Sequence, residues 1–85
     1  MRVLVSSVLH GYTGGRAQVE ADGSTLAEVV EDLDRQFPGL RFRVVDEQER
    51  IRPHMRIFID GELARDLGCA VQGQEIHLLH ALSGG

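Results

Sequence analysis

The sequence closes on HALSGG, His80 to Gly85, and its last two residues are glycines. A Gly-Gly end carries no Cβ atoms, so it can thread a slot only as wide as a backbone. Its one reactive group is the α-carboxylate of Gly85. A carboxylate is a poor acyl electrophile until it is activated, for instance by adenylation, and an activating enzyme needs a slender, unblocked end to reach. On this reading Gly85 is the reactive residue, Gly84 the residue that lets the tail thread, and the folded body a handle; from two glycines alone, a tail of no consequence is the default.

Other residue types invite chemistry and are weaker candidates. Four histidines, His10, His54, His77 and His80, raise the idea of a metal. His77 and His80 are three apart in a predicted strand, so their side chains leave from opposite faces and one ion cannot easily take both. Solvated surface histidines are the expectation. Cys69 is the sole cysteine and has no Cys-x-x-Cys partner. No base or helix N-terminus is evident near it to lower a thiol pKa, so it reads as a small apolar filler. HGYTGG, His10 to Gly15, lacks the G-x-x-x-x-G-K-[ST] pattern of a phosphate loop.

The composition limits the classes available. With 85 residues the chain makes one domain, and a domain of this size buries roughly 60% of its unfolded surface. Enclosing an enzyme pocket is hard on that scale; a carrier, adaptor or subunit is the natural class. A net charge of −4 argues against nucleic acid and is compatible with docking on a basic protein surface. All nine cations are arginine, so the chain cannot build lysine-linked chains of itself. A lone cysteine excludes a disulfide framework and fits a reducing compartment. No run approaches the roughly 20 apolar residues of a membrane span, and MRVLVSSVLHGY has no small-residue cleavage site. The expected setting is cytoplasmic, with no membrane partner.

These residues need a scaffold. Arg2 to Leu9 reads as a strand, HGYTGG as a turn, and Arg16 to Ala21 as a second strand closing a hairpin. TLAE, Thr25 to Glu28, is a capping box. Leu26, Val29, Val30, Leu33 and Phe37 then form one helical stripe, with Glu31 and Arg35 as an i,i+4 pair opposite and Pro38-Gly39 as the stop. Leu40 to His54 reads as a long polar loop. Met55 to Asp60 is a strand ending in an Asp60-Gly61 turn, Glu62 to Gly68 holds a short strand or helical turn, and Glu75 to Leu82 is the last strand. The order predicts an α+β fold: a mixed sheet with one main helix across one face, and first and last strands parallel at its centre. The domain is expected over 1–82, with a flexible tail at 83–85. Alternation puts Val3, Val5, Met55, Ile57, Ile59, Ile76 and Leu78 toward the helix. Leu4, Phe58, His77 and Leu79 then face away, as a partner-binding surface that continues into Leu82 and Ser83 at the tail.

Together, the β-β-α-β-β order, TLAE, FPGL, IFIDGE and the terminal GG resemble the ThiS/MoaD family of ubiquitin-like sulfur carriers, over essentially the whole chain. YTGG and IRPHMRIFIDGE are closer to the carriers of cysteine biosynthesis and specialised metabolism than to the thiamine carrier. The resemblance implies a β-grasp fold and a carrier that is not itself an enzyme. It binds no cofactor: a ubiquitin-activating-enzyme-like adenylyltransferase uses ATP and Mg²⁺ to make an acyl-adenylate at Gly85. A thiocarboxylate follows, and a second, biosynthetic enzyme accepts the sulfur. Gly85 is then the acyl carrier, Gly84 the slender approach, and Leu4, Phe58 and Leu79 the docking face. Cys69 is not the sulfur-carrying atom, and the free carrier is a monomer. Two other readings share the sequence: a protein modifier conjugated through Gly85, and a non-covalent interaction subunit with an incidental tail.

Overall fold

The computed structural model describes residues 1–72 and 75–81. Its five strands form one mixed sheet in the order β2-β1-β5-β3-β4. They are β1 (Arg2–Val5), β2 (Gln18–Glu20), β3 (Met55–Ile59), β4 (Glu62–Leu63) and β5 (Ile76–His80). Strands β1 and β5 run parallel at the centre, with Val3, Leu4 and Val5 beside Ile76, His77 and Leu78. The other pairings are antiparallel. This is the β-grasp arrangement, with the last strand embedded between β1 and β3.

The helix α1 (Leu26–Gln36) follows the predicted stripe. Leu26, Val29, Val30 and Leu33 are buried in one cluster with Val3, Met55, Ile57, Ile76 and Leu78, so the expected inner face of the sheet is the observed one. Ile59, near the margin of the sheet, is only half-buried against this core. The α1 N-terminus accounts for its orphan amides. Leu26 N–H donates to Cys69 O and Ala27 N–H to Leu67 O, each at 2.9 Å. Glu28 N–H donates to Thr25 Oγ1 at 3.3 Å. The return half of the capping box is displaced by one residue: the Glu28 carboxylate accepts from Ser24 N–H at 2.8 Å, not from Thr25. Arg35 pairs with Asp32 at 2.8 Å rather than with Glu31. Asp32 also accepts the Asp22 amide, the leading cause that holds its carboxyl below the usual range, ahead of Arg35.

Gly23 is needed where the chain enters α1. A Cβ there would lie 2.7 Å from the Val29 nitrogen and 2.9 Å from Glu28 carbons, inside helix backbone that cannot step aside. Gly23→Ala should cost about 2 kcal/mol by overpacking. Thermal melts of the two proteins check this; an unchanged midpoint would mean that the helix entry is soft.

Three expectations are corrected. Strand β1 stops at Val5, because Ser6 N–H makes its last bond to Leu78 O and Ser7–Leu9 coil into a 3₁₀ turn that buries Leu9. The last strand spans Ile76–His80 within the expected 75–82. The segment 40–54 is not a featureless loop. Leu40–Val44 forms a short helix, α2, whose Leu40 and Val44 are fully buried one turn apart. Asp34 Oδ1 accepts from the Gly39 and Arg41 amides at its start, 3.1 Å each. Asp46 Oδ1 then closes the following turn by accepting from Gln48 and Arg50 N–H at 2.8 and 3.0 Å.

Candidate functional site

The topology delivers the tail. Strand β5 lies between β1 and β3; β1 holds it as far as Leu78, whose carbonyl accepts Ser6 N–H, and β3 as far as His80, opposite Met55. Ala81 N–H donates to His54 O at 2.7 Å. Gly84 and Gly85, and with them Leu82 and Ser83, lie outside the described residues. The described body thus ends at a fixed point from which the sequence supplies four more residues, none of them charged in its side chain.

The sheet face turned away from α1 carries the other predicted residues. Leu4 stands beside His77, His77 beside Phe58, and Phe58 beside Leu63. Directly paired residues share a face, so these four make one row across four strands. Leu79 sits on the same face, paired with Arg56. Leu4, Phe58, His77 and Leu79 are half-buried rather than fully exposed. Leu63 is the most open member at 54% exposure. Sequence reading missed it because Glu62 to Gly68 had no assigned register; the Asp60-Gly61 turn, with φ of 53° and 89°, fixes that register.

A second grouping was not foreseen. His54 and His80 come together with ring centroids 5.1 Å apart, on the flank where the tail departs. His77 is on the opposite sheet face, as its spacing from His80 required. Burial chiefly holds the His54 imidazole below its ordinary pKa, and the neighbouring His80, Arg52 and Arg43 add to that. Arg52 is committed to the fold: its Nε donates to Phe42 O at 2.6 Å, its guanidinium lies 4.6 Å over the Phe42 ring, and Nη2 is 3.6 Å from Glu47. Pairing of 54–59 with 76–81 brings the two histidines together, and only the strand register reveals it.

Cys69 is half-buried against the core, and its carbonyl accepts the Leu26 amide, which corrects the expectation that no helix N-terminus lies near it: the loop 64–70 folds back onto the start of α1. Cys69→Ala should retain near wild-type tail activation, as measured by ATP–pyrophosphate exchange. Loss of exchange with an intact circular dichroism spectrum would make the thiol chemical.

The architecture defines a small ubiquitin-like domain with β5, its last described strand, at the centre of the sheet. Residues 3–85 match the ThiS family, and the chain belongs to it. The match runs through the two terminal glycines. The sulfur carrier protein CysO of Mycobacterium tuberculosis is 29% identical over 89 residues, covering 98% of this chain and 96% of that protein. A chain of the Amycolatopsis orientalis BexX/CysO complex superposes with a TM-score of 0.90 at 28% identity, covering 99% and 98% of the two chains. SAMP1 of Haloferax volcanii superposes with a TM-score of 0.76 at 28% identity, covering 99% and 97%.

Proposed function

We propose that this protein is a sulfur carrier whose working group is the C-terminal carboxylate of Gly85. The observation that carries this is membership of the ThiS family over residues 3–85, tail glycines included. In the proposed cycle an adenylyltransferase of the ubiquitin-activating type binds ATP and Mg²⁺. A Gly85 carboxylate oxygen attacks the α-phosphorus, and pyrophosphate leaves. A sulfur nucleophile then adds to the acyl carbon and AMP departs, leaving a thiocarboxylate. In a biosynthetic enzyme the thiocarboxylate sulfur attacks an electrophilic carbon of the acceptor, whose leaving group departs, and water then cleaves the acyl–sulfur bond, releasing the sulfur on the acceptor and regenerating the carboxylate. The carrier supplies no catalytic side chain; Gly84 lets the end enter a narrow channel. The row Leu4, His77, Phe58, with Leu79 and Leu63, is the docking face, and Leu82 and Ser83 line the channel mouth. We place the cycle in the cytoplasm, with the free carrier monomeric. The likeness to the BexX/CysO complex supports a working life spent in complexes with enzymes.

Carrier-dependent ATP–pyrophosphate exchange with the activating enzyme tests the first step. The likeness to SAMP1, a small archaeal modifier protein, favours a second use of the same activated end, conjugation to amines. A ladder of larger covalent adducts would mark that use.

A further inference from the structure

The net charge of −4 conceals a strong segregation. Five of the nine arginines are in ion pairs: Arg2 with Glu75, Arg35 with Asp32, Arg41 with Glu49, Arg50 with Asp46, and Arg52 with Glu47. The remaining four, Arg16, Arg43, Arg56 and Arg65, are exposed and have no ion pair among the described residues. Sheet topology puts all four at the end from which the tail departs. Arg16 precedes Ala17, whose carbonyl accepts from Val5 N–H at the C-terminal end of β1, parallel to β5. Arg56 pairs with Leu79. Arg65 follows Ala64, which bonds back to Ile57, so β4 carries it toward the same end. Arg43 lies by His54, beside His80. Arg56 and Arg65 also flank a groove of about 580 Å³ lined by Ile51, Met55 and Leu63.

The opposite end is acidic. Glu20, Asp22, Asp60, Glu62 and Glu75 gather there. Arg2 and the α-amino group of Met1 oppose them, and Arg35 stands nearby on Asp32, a further carboxylate that accepts the Asp22 amide. The described charges are therefore separated along the direction of β5, with the unpaired arginines at its C-terminal end.

We infer that the tail root is a cationic collar that docks on acidic protein surfaces, and that enzymes accepting this tail carry carboxylates around the mouth of the channel it enters. This rests on the carrier reading and names the chemistry of its partners. From Ala81 to Gly85 the chain spans at most about 14 Å. An enzyme that holds the Gly85 carboxylate at its reacting atoms must bring its surface up to Arg43, Arg56 and Arg65. Those charges have no ion-pair partner among the described residues, although Arg56 donates to the Pro53 and Met55 carbonyls, so acidic groups opposite them are attracted and basic ones repelled. That separation of charge also turns the C-terminal end of β5 toward an acidic surface before contact, which is the condition for electrostatic steering. A nucleic acid fits less well, since phosphate binding draws on many cationic contacts and the acidic end repels the strand beyond them. The net charge is compatible with a basic partner surface; the unpaired arginines favour an acidic one at the end where β5 finishes.

The isotopically labelled full chain, titrated with hexaglutamate at about 0.01 M salt, where the screening length is about 30 Å, tests the collar without any enzyme. Amide shifts are expected around Arg16, Arg43, His54, Arg56 and Arg65 and not around Glu20, Glu62 or Glu75. Shifts at the acidic end, or none anywhere, would overturn the inference, as would tighter binding of a short DNA duplex. In the exchange assay, Arg43→Glu with Arg56→Glu should raise the half-saturating carrier concentration about tenfold at low salt. That difference should vanish near 1 M salt, while Glu62→Gln changes nothing. An equal half-saturation for variant and wild type at low salt would sink the collar with the carrier reading intact. Absence of exchange in the wild type would sink the carrier reading while the titration still decides the collar.

Discussion

Removing Gly85, or adding one residue after it, should abolish adenylation and thiocarboxylate formation without altering the fold. Among the described residues the buried core runs from Val3 to Leu78. The last described backbone bond of β5 on its way out is Ala81 N–H to His54 O. The chemistry requires a free glycine carboxylate at a fixed reach from that bond. An added residue moves the carboxylate about 3.5 Å along the channel and places a side chain where only backbone passes. A misplacement of even 1 Å can cost about a hundredfold in rate, so exchange should fall to background. Circular dichroism reports on the fold and pyrophosphate exchange on the chemistry. Full exchange with a blocked terminus would reject the mechanism.

The second large effect is expected at Phe58. It stands in the middle of the outer row, with His77 on one side and Leu63 on the other. A few central apolar anchors dominate most protein interfaces, and truncating one costs about 2 kcal/mol or more. Phe58→Ala should weaken binding to the activating enzyme roughly 30-fold, since about 1.4 kcal/mol is tenfold. Its cost to folding should stay near 1 kcal/mol, the middle of the range for point substitutions, because Ile57, not Phe58, is the fully buried residue of that pair. A thermal melt and a titration separate the two effects. A loss of about 3–5 kcal/mol of stability would be the signature of a core aromatic and would remove Phe58 from the docking face.

How far the sequence was legible depends on the range of the interactions involved. Helix α1 was readable because its stripe, its Thr25 cap and its glycine stop are all local. The sheet faces were readable from the period-two spacing of Val3 and Val5, Met55 and Ile57, and Ile76 and Leu78, although Leu4, Phe58 and Leu79 make the alternation imperfect. Helix α2 was missed because its apolar pair, Leu40 and Val44, is a single turn interleaved with arginines, too short to stand out from a polar loop. The separation of charge was invisible for a different reason. Which arginines are paired depends on strand order and register, and net charge sums over the very ends that the fold keeps apart. The tail lies outside the described residues, and its chemistry is an expectation that two glycines suggest and only the resemblance of the chain as a whole makes specific.

The central claim is that sulfur rides on the last glycine. Intact-mass measurement of the full chain tests it, after incubation with ATP, Mg²⁺, the activating enzyme and a sulfur source. The account predicts a single product in which one oxygen is replaced by one sulfur, with the change located by fragmentation at Gly85 and reversed when the sulfur-accepting enzyme is added. An unchanged mass under conditions that support pyrophosphate exchange, or a sulfur located on Cys69, would contradict it.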